Sequence, residues 1–447
     1  DHRDLHSFPT RRSSDLDNKS ETYWQSGKSE NEFVIFDFKT RREFGGLQIN
    51  WLQDNIAQSF DIFLSADATN WDKVYSAKSN QGDISFIRLA EAESNYLKIN
   101  LVNGNTAKGF GIREIKLLDI KESLSPNDFF IYAAKNSQAG NFPRYFSEKA
   151  SYWTICGVNN DVKEAMINED GMVEVDKALF SIEPLIKTQD SLFTWFDVKA
   201  TQGMGNKVNN REFCFNPTVT WKCDGLEFVA AVTAWGEANK NSRLTISYSF
   251  KNFSGHIKNF DFYLLMRPFQ VNPYYQFLNL PGGVGKIQSI KEENNMIFLD
   301  DKVVLPLKKY DAFGACAMDE GNIVDLIRKG KMPPEKSVVD KDGLANGAIK
   351  YGMRLNPGES TEIFIVVPFY EKEILDKEPR IDNVIKEFNT SVDFWKSKVE
   401  HVIFNLPESA DKIVNTYKSN LVYILVNRDK AGIQPGSRSY ERSWIRD

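Results

Sequence analysis

The residues best suited to chemistry lie at the end of the chain. Gly432 to Asp447 reads Gly-Ile-Gln-Pro-Gly-Ser-Arg-Ser-Tyr-Glu-Arg-Ser-Trp-Ile-Arg-Asp, with one Tyr, one Trp, three Arg and two acids in a few residues. Aromatic rings offer flat apolar faces to C–H groups, and charged side chains make charge-assisted bonds to hydroxyls. A loop of this composition suits a polyhydroxyl ligand. Its Tyr440, Trp444, Arg438, Arg442, Arg446, Glu441 and Asp447 supply such groups. The plainer reading is a helix–helix loop stapled by an Arg–Glu pair.

Other motifs carry less. Gly282-Gly283-Val284-Gly285-Lys286-Ile287 has the look of a phosphate loop, but Leu280 stands where the first glycine belongs and Ile287 where Ser or Thr belongs. His256 and His401 have no Cys or Ser partner at a catalytic spacing. Asp340-Lys341-Asp342-Gly343 lacks the rest of a calcium loop. Asn252-Phe253-Ser254 and Asn389-Thr390-Ser391 are sequons that matter only in a secretory eukaryotic host. Arg267-Pro268-Phe269 reads as a strand end.

Composition narrows the classes. Lys and Arg number 56 against 61 Asp and Glu, a net charge of −5, so no basic field favours nucleic acid or an anionic membrane. The apolar runs, such as Leu421 to Val426, are too short to cross a bilayer. Cys156, Cys214, Cys223 and Cys316 form no Cys-x-x-Cys pair and no zinc spacing. Aromatics reach 13%, which suits β-sandwiches and sugar-facing surfaces.

These side chains must be held by a scaffold, and most of it reads as β. Residues 1–16 are set aside: His6 to Leu16 back-translates into a stretch that resembles a common sequencing adapter. From Asp17 to about Asp119, short alternating segments are broken by polar turns. Phe33 to Phe36 is apolar on both faces; Ile49 and Trp51, Phe60 to Leu64, Leu97 to Leu101, and Ile112 to Leu117 follow. That rhythm predicts an all-β sandwich or jelly roll. Lys121 to Asp128 reads as a linker. Residues 129 to about 405 are again β-rich, with Leu244 to Phe250, Phe260 to Met266 and Thr361 to Val367 as long strands of one large two-sheet sandwich. Ile381 to Val399 and Glu408 to Asn427 read as helices, the second with Val414, Tyr417, Leu421, Ile424 and Leu425 on one apolar, core-facing stripe.

The first module resembles the discoidin family, the coagulation factor 5/8 C-terminal domain. The resemblance rests on Asp17 to Trp24, Phe33 to Phe38, Ser59 to Ser65 with Asn70-Trp71, Tyr96 to Ile99 and Gly111 to Ile115, five motifs in order over about 100 residues. The family's first strand, upstream of Asp17, has no counterpart. The resemblance implies sugar binding and a structural calcium whose ligands, carried over by position, would be Asp17, Thr22 and Glu114. Loop aromatics Tyr23, Trp24 and Trp71 would be sugar contacts, although Trp24 and Trp71 also suit a sandwich core.

The C-terminal motif Trp444-Ile445-Arg446-Asp447 is similar to the Trp-x-Arg-Asp of six-hairpin, glucoamylase-like glycosidases, where it follows a β-supersandwich and the first barrel helix. The resemblance implies that Arg446 and Asp447 grip a terminal sugar beside Trp444, with Tyr440 and Arg442 as lesser contacts. Hydrolysis needs a carboxylic acid and a second carboxylate, and no such pair can be nominated here.

The expectation is therefore a mainly β chain: residues 17–120 a discoidin jelly-roll sandwich, 121–405 a large β-supersandwich with a helical linker, and 406–447 the first helices of a truncated (α/α)6 barrel. It would be a fragment of an exported bacterial glycoside hydrolase, periplasmic or at the cell surface, acting on an oligo- or polysaccharide. It would have no nucleic-acid partner and no transmembrane segment. A related phosphorylase, a non-catalytic carbohydrate-binding or adhesion protein, and more distantly a lyase are the other readings.

Overall fold

The computed structural model describes residues 22–28, 30–105, 108–204, 214–370, 381–430, 432–438 and Tyr440. Its residues form two compact units, one from Asp1–Phe142 and Cys316–Pro333, the other from Pro143–Ala315 and Pro334–Asp447.

In the first unit the period-two runs become β1 (Trp24–Gln25), β2 (Glu30–Trp51), β3 (Ala57–Ser65), β4 (Asp72–Ala77), β5 (Ile84–Gly104) and β6 (Gly111–Leu118). They form one antiparallel sheet in the order β1–β6–β2–β5–β3–β4. Of Phe33 to Phe36, Val34, Ile35 and Phe36 are buried, as the sequence suggests, whereas Phe33 is half-buried. The sequence splits Val34–Phe36 from Ile49 and Trp51, but the structure runs both through the single bent strand β2. Its register against β5 shifts between Asp37 and Arg42 and again between Phe44 and Gly46. Gly45 and Gly46 make that bend possible: a Cβ on Gly46 would lie 2.1 Å from the Ile87 carbonyl oxygen, and one on Gly45 2.0 Å from Ser123 Oγ. The core gathers Trp51, Phe60, Ile62, Leu97 and Ile99. Trp51 donates its indole N–H to Ser85 Oγ at 2.9 Å, and Ser85 donates to Asn80 Oδ1 at 3.2 Å.

The stretch read as a linker is ordered. Asp119 and Glu122 cap a 3-10 turn over Ile120–Glu122, and Ser125 caps α1 (Pro126–Lys135). Ser125 Oγ accepts from Asp128 N at 3.2 Å, while the Asp128 carboxylate accepts from Ser125 N at 3.0 Å. Pro126 stands in the first turn, where its missing N–H costs nothing. Ser-Pro-Asn-Asp is therefore a helix start rather than a loop. Cys316–Pro333 adds α2 (Ile323–Arg328) to the same unit. Tyr75 OH donates to Asp319 at 2.7 Å, and Asn141 Nδ2 donates to Asp325 at 2.9 Å.

The second unit holds an eight-stranded and a nine-stranded antiparallel sheet. Trp221, Phe228, Tyr248 and Phe250 from one sheet meet Phe260, Phe262 and Tyr351 from the other, with Phe250 and Phe262 centroids 4.8 Å apart. Strand Phe260 to Met266 is buried nearly throughout, as expected for a strand covered on both faces. Truncating a ring such as Phe262 would cost about 3–5 kcal/mol.

α3 (Ile381–Val399) begins and ends where the sequence places it, and α4 (Asp411–Val426) follows a 3-10 turn at Glu408–Ala410. Ser391 on α3 donates to the Ala234 carbonyl at 3.1 Å, and Arg243 pairs with Glu387. The apolar face of α4 differs in part from the expected one: Leu421 and Leu425 pack against the buried cluster as expected, but the face is turned. Ser419, Val422 and Val426 are its buried residues, against Ile155, Phe215 and Trp395, whereas Tyr417 and Ile424 are each 46% exposed. Apolar residues occupy more than half the circumference of this helix, so periodicity alone does not choose the face. No helix among the described residues is long and apolar enough to cross a membrane.

Candidate functional site

In the N-terminal unit the side chains suited to a sugar gather on one face of β3 and β5. Lys98 pairs with Phe63 in the β3–β5 register. Its ammonium lies 4.4 Å from the Trp71 ring and 4.7 Å from the Phe63 ring. Partial burial holds the Lys98 ammonium below its usual pKa. Trp71 is delivered by a tight loop. The Asp67 carboxylate accepts from the Thr69 and Asn70 amides at 2.8 Å each, and Trp71 Nε1 donates to the Ala68 carbonyl at 3.2 Å. The Asn70 and Thr69 amides hold the Asp67 carboxyl well below the ordinary carboxylate range. The loop is thus set by bonds within it, and one face of Trp71 is already covered by a cation. Tyr23 is 44% exposed, whereas Trp24 packs partly into the core. Of the three loop aromatics, Tyr23 is the most open to a ligand.

Thr22 lies just before β1, and Glu114 lies on β6, the strand that β1 pairs with. β1 pairs Trp24 with Ile112, and continuing that antiparallel register two residues sets Thr22 opposite Glu114. Glu114 is buried, and its Oε1 accepts from Ile115 N at 3.2 Å. Asp17 lies outside the described residues. Calcium takes about six to eight oxygens; Thr22 and Glu114 alone do not make such a shell, and no group of three or more metal-binding side chains occurs among the described residues.

In the second unit the candidate C-terminal segment is anchored by a residue that its sequence reading passed over. Arg438 is buried, with Nε 2.8 Å from Glu174 Oε1 and one terminal nitrogen donating to the Glu164 carbonyl at 2.9 Å. Glu174 also accepts from the amides of Ala178, Val271 and Asn272 at 3.2, 2.8 and 3.0 Å, so its charge is fully hydrogen-bonded. Burial pushes Glu164 up to about 8, with Lys177 and then Arg438 pulling the other way. Gln434 N donates to the Asn427 carbonyl at 3.0 Å, joining the segment to the end of α4. Two residues past Arg438, Tyr440 is 46% exposed. Arg442, Trp444, Arg446 and Asp447 lie outside the described residues. A signal for the anchor was present: Glu164 and Glu174 sit in the apolar runs Glu-Ala-Met-Ile and Met-Val-Glu-Val, where a buried acid requires a cationic partner.

The remaining motifs are structural. The Gly282, Gly283 and Gly285 amides all donate to carbonyls, of Gln276, Asn272 and Pro268, and so are not turned to a phosphate. Arg267 is buried in a two-point pair with Glu183. Asn252 is buried and spends its amide on the His256 and Leu355 carbonyls, which accounts for His256 as part of a turn.

The jelly-roll strands and their motif order bear on family.

The F5/8 type C domain model matches residues 7–115.

The match opens inside the stretch read as adapter and takes in all six strands of the F5/8 type C domain except the end of β6. Among solved structures, the chain is similar to chitosan-binding module 2 of a chitosanase/glucanase from Paenibacillus sp. IK-5, in complex with chitotriose. The identity is 23% over 23% of this chain and 81% of that one, with a TM-score of 0.22. It is similar also to CpGH89CBM32-6 produced by Clostridium perfringens, at 20% identity over 25% of this chain and 86% of that one, TM-score 0.22. A third is the CBM32 of AlyQ in complex with 4,5-unsaturated mannuronic acid, at 16% identity over 23% and 81%, TM-score 0.21. No curated protein matches the chain.

Proposed function

We propose that this chain is part of an exported carbohydrate-active protein whose F5/8 type C domain binds an oligo- or polysaccharide. The observation that carries the reading is the family match over residues 7–115, on a β fold that opens Tyr23 and sets aromatic and lysine side chains on one face. The full protein is read as a glucoamylase-like glycoside hydrolase. In support, a two-sheet sandwich is followed by α3, α4 and the Trp444-Ile445-Arg446-Asp447 motif, the order that such enzymes show before their barrel. Trp444, Arg446 and Asp447 would then hold the sugar beside the scissile bond. The acid and base would lie on later loops, so these 447 residues should turn over no glycoside. Calcium enters only as an ion for which Asp17, Thr22 and Glu114 would each offer an oxygen.

Affinity electrophoresis of the chain through gels containing soluble starch, chitosan or pectin tests the binding. Retardation by at least one polymer is expected, and its loss in Tyr23→Ala would place the contact on the F5/8 type C domain. Free migration in every gel would overturn the proposal. Chelation with EGTA should lower the melting temperature if calcium is bound; an unchanged melt removes the ion from the reading. Sequencing DNA beyond the Asp447 codon separates hydrolase from adhesion protein: several hundred residues of helical hairpins support the enzyme, and an early stop supports the binder.

A further inference from the structure

The sandwich unit carries a second surface of sugar-binding chemistry, separate in sequence from every motif considered above. Three short segments meet there. The first contains Arg144 to Tyr152, the second Glu169 and Asp170, and the third the turn Thr194–Asp197. Arg144 pairs with Glu169 and brings its Nε to 3.5 Å from Asp170 Oδ2. The Tyr152 amide donates to Glu169 Oε2 at 2.9 Å, and the Ser151 amide to Tyr275 OH at 3.3 Å. The guanidinium of Arg144 lies 5.5 Å from the Trp195 ring, and the Lys149 ammonium lies 5.2 Å from Trp195 and 4.7 Å from Phe196.

The rings are held, not loose. In the third segment the Asp197 carboxylate accepts from Thr194 N at 2.9 Å and Thr194 Oγ1 at 2.7 Å, and Phe196 N donates to Thr194 Oγ1 at 3.2 Å. Tyr275 stands edge-on to Tyr274, which stacks on Phe146 at 5.9 Å. On this rigid base Tyr152 is 67% exposed, Phe196 50% and Tyr275 43%. Phe196 and Tyr275 are held by these contacts and left open, and open rings held in place suit a ligand.

One polar group of the same cluster is left over. Ser151 is 6% exposed and its Oγ has no hydrogen-bond partner, whereas Arg144 Nε already faces Asp170. Buried polar groups are nearly always satisfied, so the Ser151 hydroxyl is open to a partner from outside the chain. In these segments Arg144 and Lys149 stand among four acids, Glu148, Glu169, Asp170 and Asp197, a balance that disfavours a polyanion. Burial raises Asp170 to about 7 despite Arg144, so near neutrality this acid both donates and accepts.

We propose that this face, built on Arg144, Ser151, Tyr152, Glu169, Phe196 and Tyr275, is a saccharide-binding surface for a neutral glycan chain. Sugar C–H faces lie on Tyr152 and Phe196, and hydroxyls bond to Glu169, Arg144 and Ser151. The inference is independent of the reading of the F5/8 type C domain.

Soluble starch is the neutral probe and pectin the charged one, in affinity electrophoresis of the full chain. Three proteins are compared: wild type, Tyr152→Ala/Phe196→Ala, and Tyr23→Ala. Both exposed rings can be truncated without opening a core, and an unchanged melting temperature checks this. The expected result is retardation by starch that persists in 0.5 M salt, roughly 10-fold weaker binding in the double variant, and little change in Tyr23→Ala; tenfold is about 1.4 kcal/mol. Glu169→Gln should weaken binding less than the double variant. Equal retardation of wild type and the double variant overturns the inference, and leaves the F5/8 type C reading standing if Tyr23→Ala loses it. Free migration of wild type in every gel overturns both. A dimer by size exclusion that the double variant breaks would assign the face to a second copy of the chain, and overturns the glycan.

Discussion

The two units bury polar groups in opposite ways. In the F5/8 type C domain the buried network around Trp51 is neutral: Trp51, Ser85 and Asn80 are linked by hydroxyl and amide bonds, and Asn80 Nδ2 finishes on the Ala57 carbonyl at 2.9 Å. Its ion pairs, such as Arg41 with Glu93, lie at the surface, where they contribute little. The sandwich unit instead buries charge: Arg438 on Glu174, Arg267 on Glu183, and Lys302 on Asp176 at 3.0 Å. A neutral network costs one desolvated dipole when broken. A buried ion pair leaves a whole charge behind. The sandwich unit also holds two buried acids, Glu164 and Asp170, whose carboxyls burial raises above the ordinary carboxylate range.

The sharpest test of that contrast is Arg438→Met. It strands Glu174 and should cost about 3–5 kcal/mol in the unfolding of the sandwich unit, read by denaturant titration of the full chain. A loss below about 1 kcal/mol would place Arg438 among surface pairs. The neutral counterpart, Asn80→Ala, should cost about 1–3 kcal/mol; an effect as large as that of Arg438→Met would erase the distinction.

The smallest effect is one of slope. Burial raises Glu164 to about 8 and Asp170 to about 7, from ordinary values of 4.5 and 3.8. Over that window the folded state keeps protons that the unfolded chain has released. The two acids therefore contribute stability that is complete below about pH 4 and is lost as pH rises through 7 and 8. Asp170→Asn should flatten part of this decline, so its melting temperature gains on wild type between pH 4 and pH 8. Parallel profiles would show that Asp170 does not bear the proton.

Much of the β architecture was legible because it rests on local alternation. Phe60, Ile62 and Leu64 point one way in β3 and are buried, and Phe260 to Met266 is apolar because both its faces are covered. The helix start at Ser125 was legible in principle, since Ser, Pro and Asp stand at the cap, first turn and third position; the turn-like composition of Ser-Pro-Asn masked it. The face of α4 was not legible, because its apolar residues outnumber one stripe. Nor were the bend in β2, the glycan-suited face at Tyr152 and Phe196, or the inclusion of Cys316–Pro333 in the first unit. Each depends on partners more than about 15 residues away.

The sequence by itself determined the mainly β class, the two helices after the sandwich, and the F5/8 type C motif order, because alternation, capping and turn chemistry act between near neighbours. Only the tertiary structure decided which charges meet. Arg438 finds Glu174 across 264 residues, and Arg144 finds Glu169 and Trp195 from three separate segments. Such pairings are set by how the sheets stack and where their loops emerge, and a linear pattern holds no record of that distance.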